Sequence, residues 1–134
     1  MDITIPIDIE EEIRKALAEQ GVTIYCKPLP KDFALPCILV TCVGMTSRYN
    51  WANQATGDGF DVTLDARAED DATAVDYLRT ALGILEAVTA QQNQAFSRVV
   101  VNTLSSSIND PVRPDLKLCT ARLRVSAHRE TITT

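Results

Sequence analysis

The chain has 134 residues, 46% of them apolar and 23% charged, with a net charge of −5. That length suits one domain able to bury a core without staples. The composition excludes wholesale disorder, and the negative balance excludes a general affinity for phosphate backbones. No apolar run approaches the roughly 18 residues of a membrane span. The acidic start lacks the basic-then-apolar pattern of a secretory signal. The expected location is the cytoplasm where the chain is made, or a particle assembled there.

Ile7 to Gln20 is predicted as the first helix. Asp8 stands as N-cap with Glu11 three residues on, and Ile9, Ile13, Ala16 and Leu17 form one stripe. Gly21 is the expected stop. Val22 to Lys27 alternates as a strand with one dry face, and Lys27 to Pro36 is a proline-punctuated connection. Cys37 to Val43 is continuously apolar or β-branched, the pattern of a central strand. Residues 44–58 are polar yet carry the chain's one Trp. Phe60 to Glu69 alternates again: Phe60, Val62, Leu64, Ala66 and Ala68 face one way, Asp61, Thr63, Asp65, Arg67 and Glu69 the other. Asp70 or Asp71 caps a second helix running to about Thr89, whose end is assigned to Gln91–Gln94. Phe96 to Leu104 is a strand, Ser105 to Asp115 a loop, and Leu116 to Arg129 the last strand, with Cys119, Ala121, Leu123, Val125 and Ala127 inward. Residues 1–6 and 130–134 are expected to be flexible. The order α-β-β-β-α-β-β predicts one α+β domain over 1–134, with two helices on one face of a mainly antiparallel sheet.

Little in this chain points to catalysis. Cys26, Cys37, Cys42 and Cys119 show no metal-ligand spacing, so they read as small buried hydrophobes. His128, the one histidine, falls on the outward side of a strand. No glycine opens a helix as phosphate cradles require. Asp61 and Asp65 share a polar face, where partnership with Arg122 and Arg124 across the sheet is simpler than acid/base chemistry. No enzyme, cofactor or metal is expected.

Arg48-Tyr49-Asn50-Trp51 is the more informative stretch, because Arg, Tyr and Trp concentrate at binding hot spots. Two readings are open: Trp51 folds back as a lid on the core, or the segment is a hairpin arm reaching a neighbouring subunit. The loop from Asn109 to Asp115, with Arg113, invites a similar reading. Residues 58–76 hold seven acids and one Arg, while 113–130 hold five Lys or Arg and two acids. The two segments are candidate faces of one repeated contact between copies.

An acidic N-terminal helix leads to a short strand and a Pro-rich link. The strand Leu35-Pro-Cys-Ile-Leu-Val-Thr41 and a hairpin follow. A strand then runs straight into an Asp-rich helix start, Phe60-Asp-Val-Thr-Leu-Asp-Ala-Arg-Ala-Glu-Asp-Asp-Ala72. In this layout the chain resembles the tail terminator (tail completion) proteins of long-tailed bacteriophages and their neck and minor tail relatives. The resemblance implies a structural virion protein forming a ring, usually a hexamer. Such a ring caps the tail tube, ends its polymerisation and offers a surface for head joining. It implies as partners further copies of the chain, the tail tube protein and head–tail connector proteins, with no membrane and no specific nucleic acid, and a place in the virion tail. It transfers no individual residue. The candidate contacts Arg48, Tyr49, Trp51, Asp61, Asp65, Arg113, Arg122 and Arg124 rest on composition and position. The alternative is a small ferredoxin-like ligand-binding or regulatory domain, which requires a concave pocket with convergent polar groups.

Overall fold

A computed structural model of the chain describes residues 1–91 and 95–134. Its elements are β1 (Asp2–Ile5), α1 (Ile9–Ala18), β2 (Ile24–Cys26), β3 (Cys37–Tyr49), β4 (Ala55–Ala68), α2 (Asp71–Ala90), β5 (Phe96–Leu104), β6 (Ile108–Asn109), β7 (Lys117–Ala127) and β8 (Glu130–Thr133). The fold is α+β, with a main sheet in the order β2-β3-β4-β7-β5. β2 lies parallel to β3, and the other pairings are antiparallel. β6 pairs with the start of β7 and so continues the edge begun by β5.

Local chemistry fixes the helix starts. The Asp8 carboxylate accepts from the Glu11 N–H at 3.3 Å and the Asp70 carboxylate from the Thr73 N–H at 2.8 Å, each satisfying a donor the helix leaves free. Gly21, at φ +84°, turns the chain out of α1 in a region that side chains with a Cβ avoid. Ile9, Ile13, Ala16 and Leu17 of α1 and Ala74, Leu78, Ala81, Leu82, Leu85 and Val88 of α2 are buried. They join Ile38 and Val40 of β3, Phe60 to Ala68 on the inward side of β4, and Cys119 to Ala127 on that of β7 in one core. Each large buried side chain contributes about 1.5–3 kcal/mol. The Thr23 N–H donates to the Tyr77 hydroxyl at 2.6 Å, tying α2 to the approach of β2.

Several expectations change. Both helices are present, α1 two residues shorter at each end, and Gln91 caps α2; the rest of the expected stop, Gln92–Gln94, lies outside the described residues. Cys37 to Val43 is only the first half of β3, which runs on to Tyr49. It is an interior strand only over Ile38–Val40, between β2 and β4; from Thr41 on, its outer side has no strand among the described residues. Most of the polar stretch 44–58 is therefore strand. The loop Ser105–Asp115 contains β6. The two ends, expected to fray, pair with each other: β1 and β8 form a ribbon from Asp2↔Thr133 to Ile5↔Glu130. The Thr133 hydroxyl donates to Asp2 at 2.8 Å. Pairing satisfies backbone groups that lone tails leave to water.

Candidate functional site

The eight candidate residues fall into three places. Arg48, Tyr49 and Trp51 lie at the tip of the β3–β4 hairpin; Asp61, Asp65, Arg122 and Arg124 lie on the sheet face away from the helices; Arg113 lies in the β6–β7 loop at the far end.

The tip is a built turn. The Asn50 carboxamide oxygen accepts from the Ala52 and Gln54 N–H groups, both at 3.0 Å, and its amide donates to the Gln54 side chain at 3.1 Å. Asn53 takes the left-handed conformation at φ 59°, which Asn tolerates better than most residues. Trp51 is carried on this turn and is fully exposed at 106%, with Tyr49 at 60%. The lid reading of Trp51 is thereby overturned. The hairpin runs past Asp58, the last β4 residue paired with β7, so the tip has no third strand behind it.

Two glycines of β4 make room for arginines of its neighbours, Arg48 on β3 and Arg124 on β7. Arg48 lies opposite Gly57, where an added Cβ would sit 2.7 Å from the Arg48 Nη2 and 2.9 Å from the Ala127 carbonyl oxygen. At Gly59 it would sit 2.5 Å from the Arg124 Nη2. The bare backbone lets both guanidinium groups lie flat across β4.

The terminal ribbon leaves from the same end, since Ala127 lies opposite Asp58 and Asp58 opposite Ser47. Arg129 binds the ribbon to the hairpin. It donates to the Asp58 carboxylate at 3.2 Å, the Ser47 hydroxyl at 3.0 Å and the Thr4 carbonyl at 3.3 Å. Asp58 is wholly buried. Around this node the chain leaves Met1, Ile3, Met45, Tyr49, Trp51 and Ile132 exposed.

The open face alters the charge expectation. Asp61 lies opposite Arg124 and pairs with it at 3.0 Å, and Asp65 accepts from the Thr120 hydroxyl at 2.7 Å. The acidic and basic segments are largely neighbouring strands of one sheet, and two ion pairs, Asp61–Arg124 and Asp58–Arg129, join them within the chain. A half-exposed pair such as Asp61–Arg124 is worth about 0–1 kcal/mol. Arg122 has no acidic partner among the described residues. It lines a groove of about 540 Å³ with Asp61, Thr63, Asn102 and Thr103.

Arg113 pairs with Asp115 at 2.9 Å, and its guanidinium lies 5.7 Å from the Phe33 ring centre. It borders a second cavity of about 440 Å³, walled by Leu29, Phe33, Leu39 and Val112 and edged by Lys31 and Arg67. There Arg67 donates to the Asp110 carboxylate at 2.8 Å. Burial pushes the Asp110 carboxyl up, but the Val112 N–H and Arg67 outweigh it and hold the group below its ordinary range.

His128 is exposed. Cys37 and Cys119 are buried, Cys26 and Cys42 half-buried, and all four thiols are free. Among the described residues no three His, Cys, Asp or Glu side chains are grouped to hold a metal, and no helix is long and apolar enough to cross a membrane.

The buried Asp58–Arg129 and Arg67–Asp110 pairs were not anticipated from sequence. A signal existed for the first: Asp58 continues the inward series 60, 62, 64 and Arg129 the inward series 123, 125, 127. The second joins β4 to the loop after β6, between residues 43 positions apart, and no local pattern marks it. Comparison with known proteins adds no relative: no protein-family model matches the chain, and no curated protein matches it.

Proposed function

We propose that this chain is a ring-forming structural subunit of a long-tailed bacteriophage particle. It caps the tail tube, ends tube polymerisation and presents a surface for head joining. The observation that carries this reading is the armed end, where Trp51 stands clear of its own chain on a turn braced by Asn50, beside a ribbon bearing Met1, Ile3 and Ile132. A monomer gains nothing from holding these side chains in water. An interface gains most from rigid aromatic anchors, because little conformational freedom remains to be lost on binding. The element order and the sheet with two helices agree with the layout of the tail terminator proteins. In this reading the domain is two-layered, with both helices on one face.

Copies associate head to tail and close by rotation, most simply as the hexamer of the proteins the chain resembles. The further partners are the tail tube protein and the head–tail connector. Assembly takes place in the host cytoplasm and the product resides in the virion tail. The role needs no catalysis, cofactor, metal, membrane or specific nucleic acid.

Negative-stain imaging of the purified chain tests the reading. Rings of uniform diameter, alone or on added tube protein, are expected. Isolated globules under both conditions overturn it. A ferredoxin-like ligand-binding or regulatory domain is the second reading, and it draws on the 440 Å³ cavity where Lys31, Arg67 and Arg113 meet apolar walls. A melting temperature that climbs with the concentration of one anionic metabolite would favour it.

A further inference from the structure

The main sheet ends in two unequal edges. On one side β5 offers Phe96–Leu104 with no strand beyond it among the described residues. On the other, β2 covers only Ile38–Val40 of β3, so the outer side of β3 from Thr41 to Tyr49 is also unpaired. Natural edges are blunted with Pro, charged side chains (Lys above all), inward-pointing charge or bulges. Neither stretch contains Pro, Lys, Asp or Glu; their blunting is limited to one Arg each, Arg48 and Arg98, and to bulges in both strands. Of the eleven large apolar side chains exposed among the described residues, five lie on these two strands: Val43, Met45 and Tyr49 on β3, and Val100 and Leu104 on β5.

Register places the two free edges at one height. Across the sheet, Val101 lies opposite Leu123, Leu123 opposite Val62, and Val62 opposite Cys42. Nearer the armed end, Phe96 lies opposite Ala127, then Asp58, then Ser47. The free part of β3 is thus level with β5, while β2 sits lower, from the level of Leu104 toward that of β6. The two strands also run in opposite directions, because three antiparallel steps separate them. Bulged residues, Val43 on β3 and Ser97 and Asn102 on β5, bend both edges.

From this we infer that copies join by continuing the sheet, the outer edge of β5 in one copy pairing antiparallel with Thr41–Ser47 of β3 in the next. The inference rests on the ring reading and names its contact. Because the edges are level, successive copies can join with no shift along the strand direction, each copy turned relative to the last by the twist of the sheet. Heterologous contacts without such a shift close into a ring, whereas edges at different heights would wind into a filament. The main-chain ladder supplies the bond, and the exposed Val and Met side chains are covered as it forms.

Thr46 and Arg98 are level, both exposed, and related through Gly59 and Ser126. In the proposed contact they face each other across the copies, within the roughly 7 Å that a disulfide spans. A chain carrying Thr46→Cys and Arg98→Cys together is oxidised and run on a non-reducing gel, with the parent chain and its four native thiols as control. The expected result is a covalent ladder ending at the ring mass, absent from the parent. Light scattering on the same sample separates the two claims. A ring without a ladder overturns the sheet contact and leaves the ring reading standing, while a monomer at every concentration overturns both. A ladder from Arg98→Cys alone that stops at dimer means twofold β5–β5 pairing and also overturns the contact. Hydrogen exchange on the native chain needs no variant. Backbone amides of 41–47 and 98–103 should exchange about tenfold or more slowly in the assembled form than at high dilution, and equal rates contradict the proposal.

Discussion

The same three strands, β3, β4 and β7, build two regions that treat their side chains oppositely. Under the helices, Ile38, Val40, Val62, Leu64, Leu123 and Val125 are all but inaccessible to water. At the armed end, past Asp58 and Ala127, Tyr49 and Trp51 on the hairpin and Ile132 on the adjoining ribbon face solvent, and each strand there has a partner on one side only. Between the regions sits the Asp58–Arg129 node, which closes the core and anchors the end. Pairing of main chain and burial of side chains are therefore separate achievements. The body has both, and the armed end has two-stranded pairing with its apolar side chains uncovered, the surface that the proposed function gives to a partner.

The largest expected effect comes from breaking the node. Arg129→Ala leaves Asp58 buried without its cation and should cost about 3–5 kcal/mol in a urea melt. A loss below about 1 kcal/mol would mean that the two regions do not share this anchor. Next comes a test of the body by pH. Burial pushes the Cys37 thiol up to about 11, with Arg67 opposing, against an ordinary value of 9.0. Its contribution is complete below the unfolded value and is lost as pH rises from 9 through 11, by on the order of 2–3 kcal/mol. Melts of the parent and of Cys37→Ala across that window should show the larger loss in the parent, because burial also raises the Cys26 and Cys119 thiols that both chains keep.

Trp51→Ala tests the armed end. Monomer stability should stay within about 0.5 kcal/mol, as for exposed sites generally. Assembly should weaken by about 2 kcal/mol, roughly thirtyfold, read from the dilution dependence of the mass. If stability falls and assembly does not, Trp51 belongs to the body. The smallest effect is on the open face. Arg124→Glu breaks a half-exposed pair with Asp61 and should change stability by about 1 kcal/mol or less, diminishing with salt. Adding Arg122→Glu should move the oligomer toward monomer if the unpaired Arg122 contributes to the contact.

Much of the body was legible because its causes are local. The caps Asp8 and Asp70 and the alternation through Phe60–Ala68 and Cys119–Ala127 depend only on near neighbours in the chain. Pairing was not legible in the same way. Nothing local says that β7 inserts between β4 and β5, or that Ile3 will find Ile132 at the opposite end of the chain. The inward charges were half-legible: Asp58 and Arg129 sit on the core parity, but their series begins and ends in polar sequence, which hides it. For the candidate site, Arg48–Trp51 was visible as the wrong residue types for a plain connection. Its two fates differed only in tertiary packing, on which the sequence is silent. The charge asymmetry was visible too, but whether it is satisfied within a chain or between chains depends on register.

The central claim is that the free energy left over at the armed end and sheet edges is used to bind further copies of this chain. The most direct measurement is the molar mass of the purified protein by light scattering over a wide dilution series, alone and with tube protein. The account predicts one discrete ring mass at high concentration, falling to the 14.7 kDa monomer on dilution. A mass of one chain throughout, unchanged by tube protein, would contradict it.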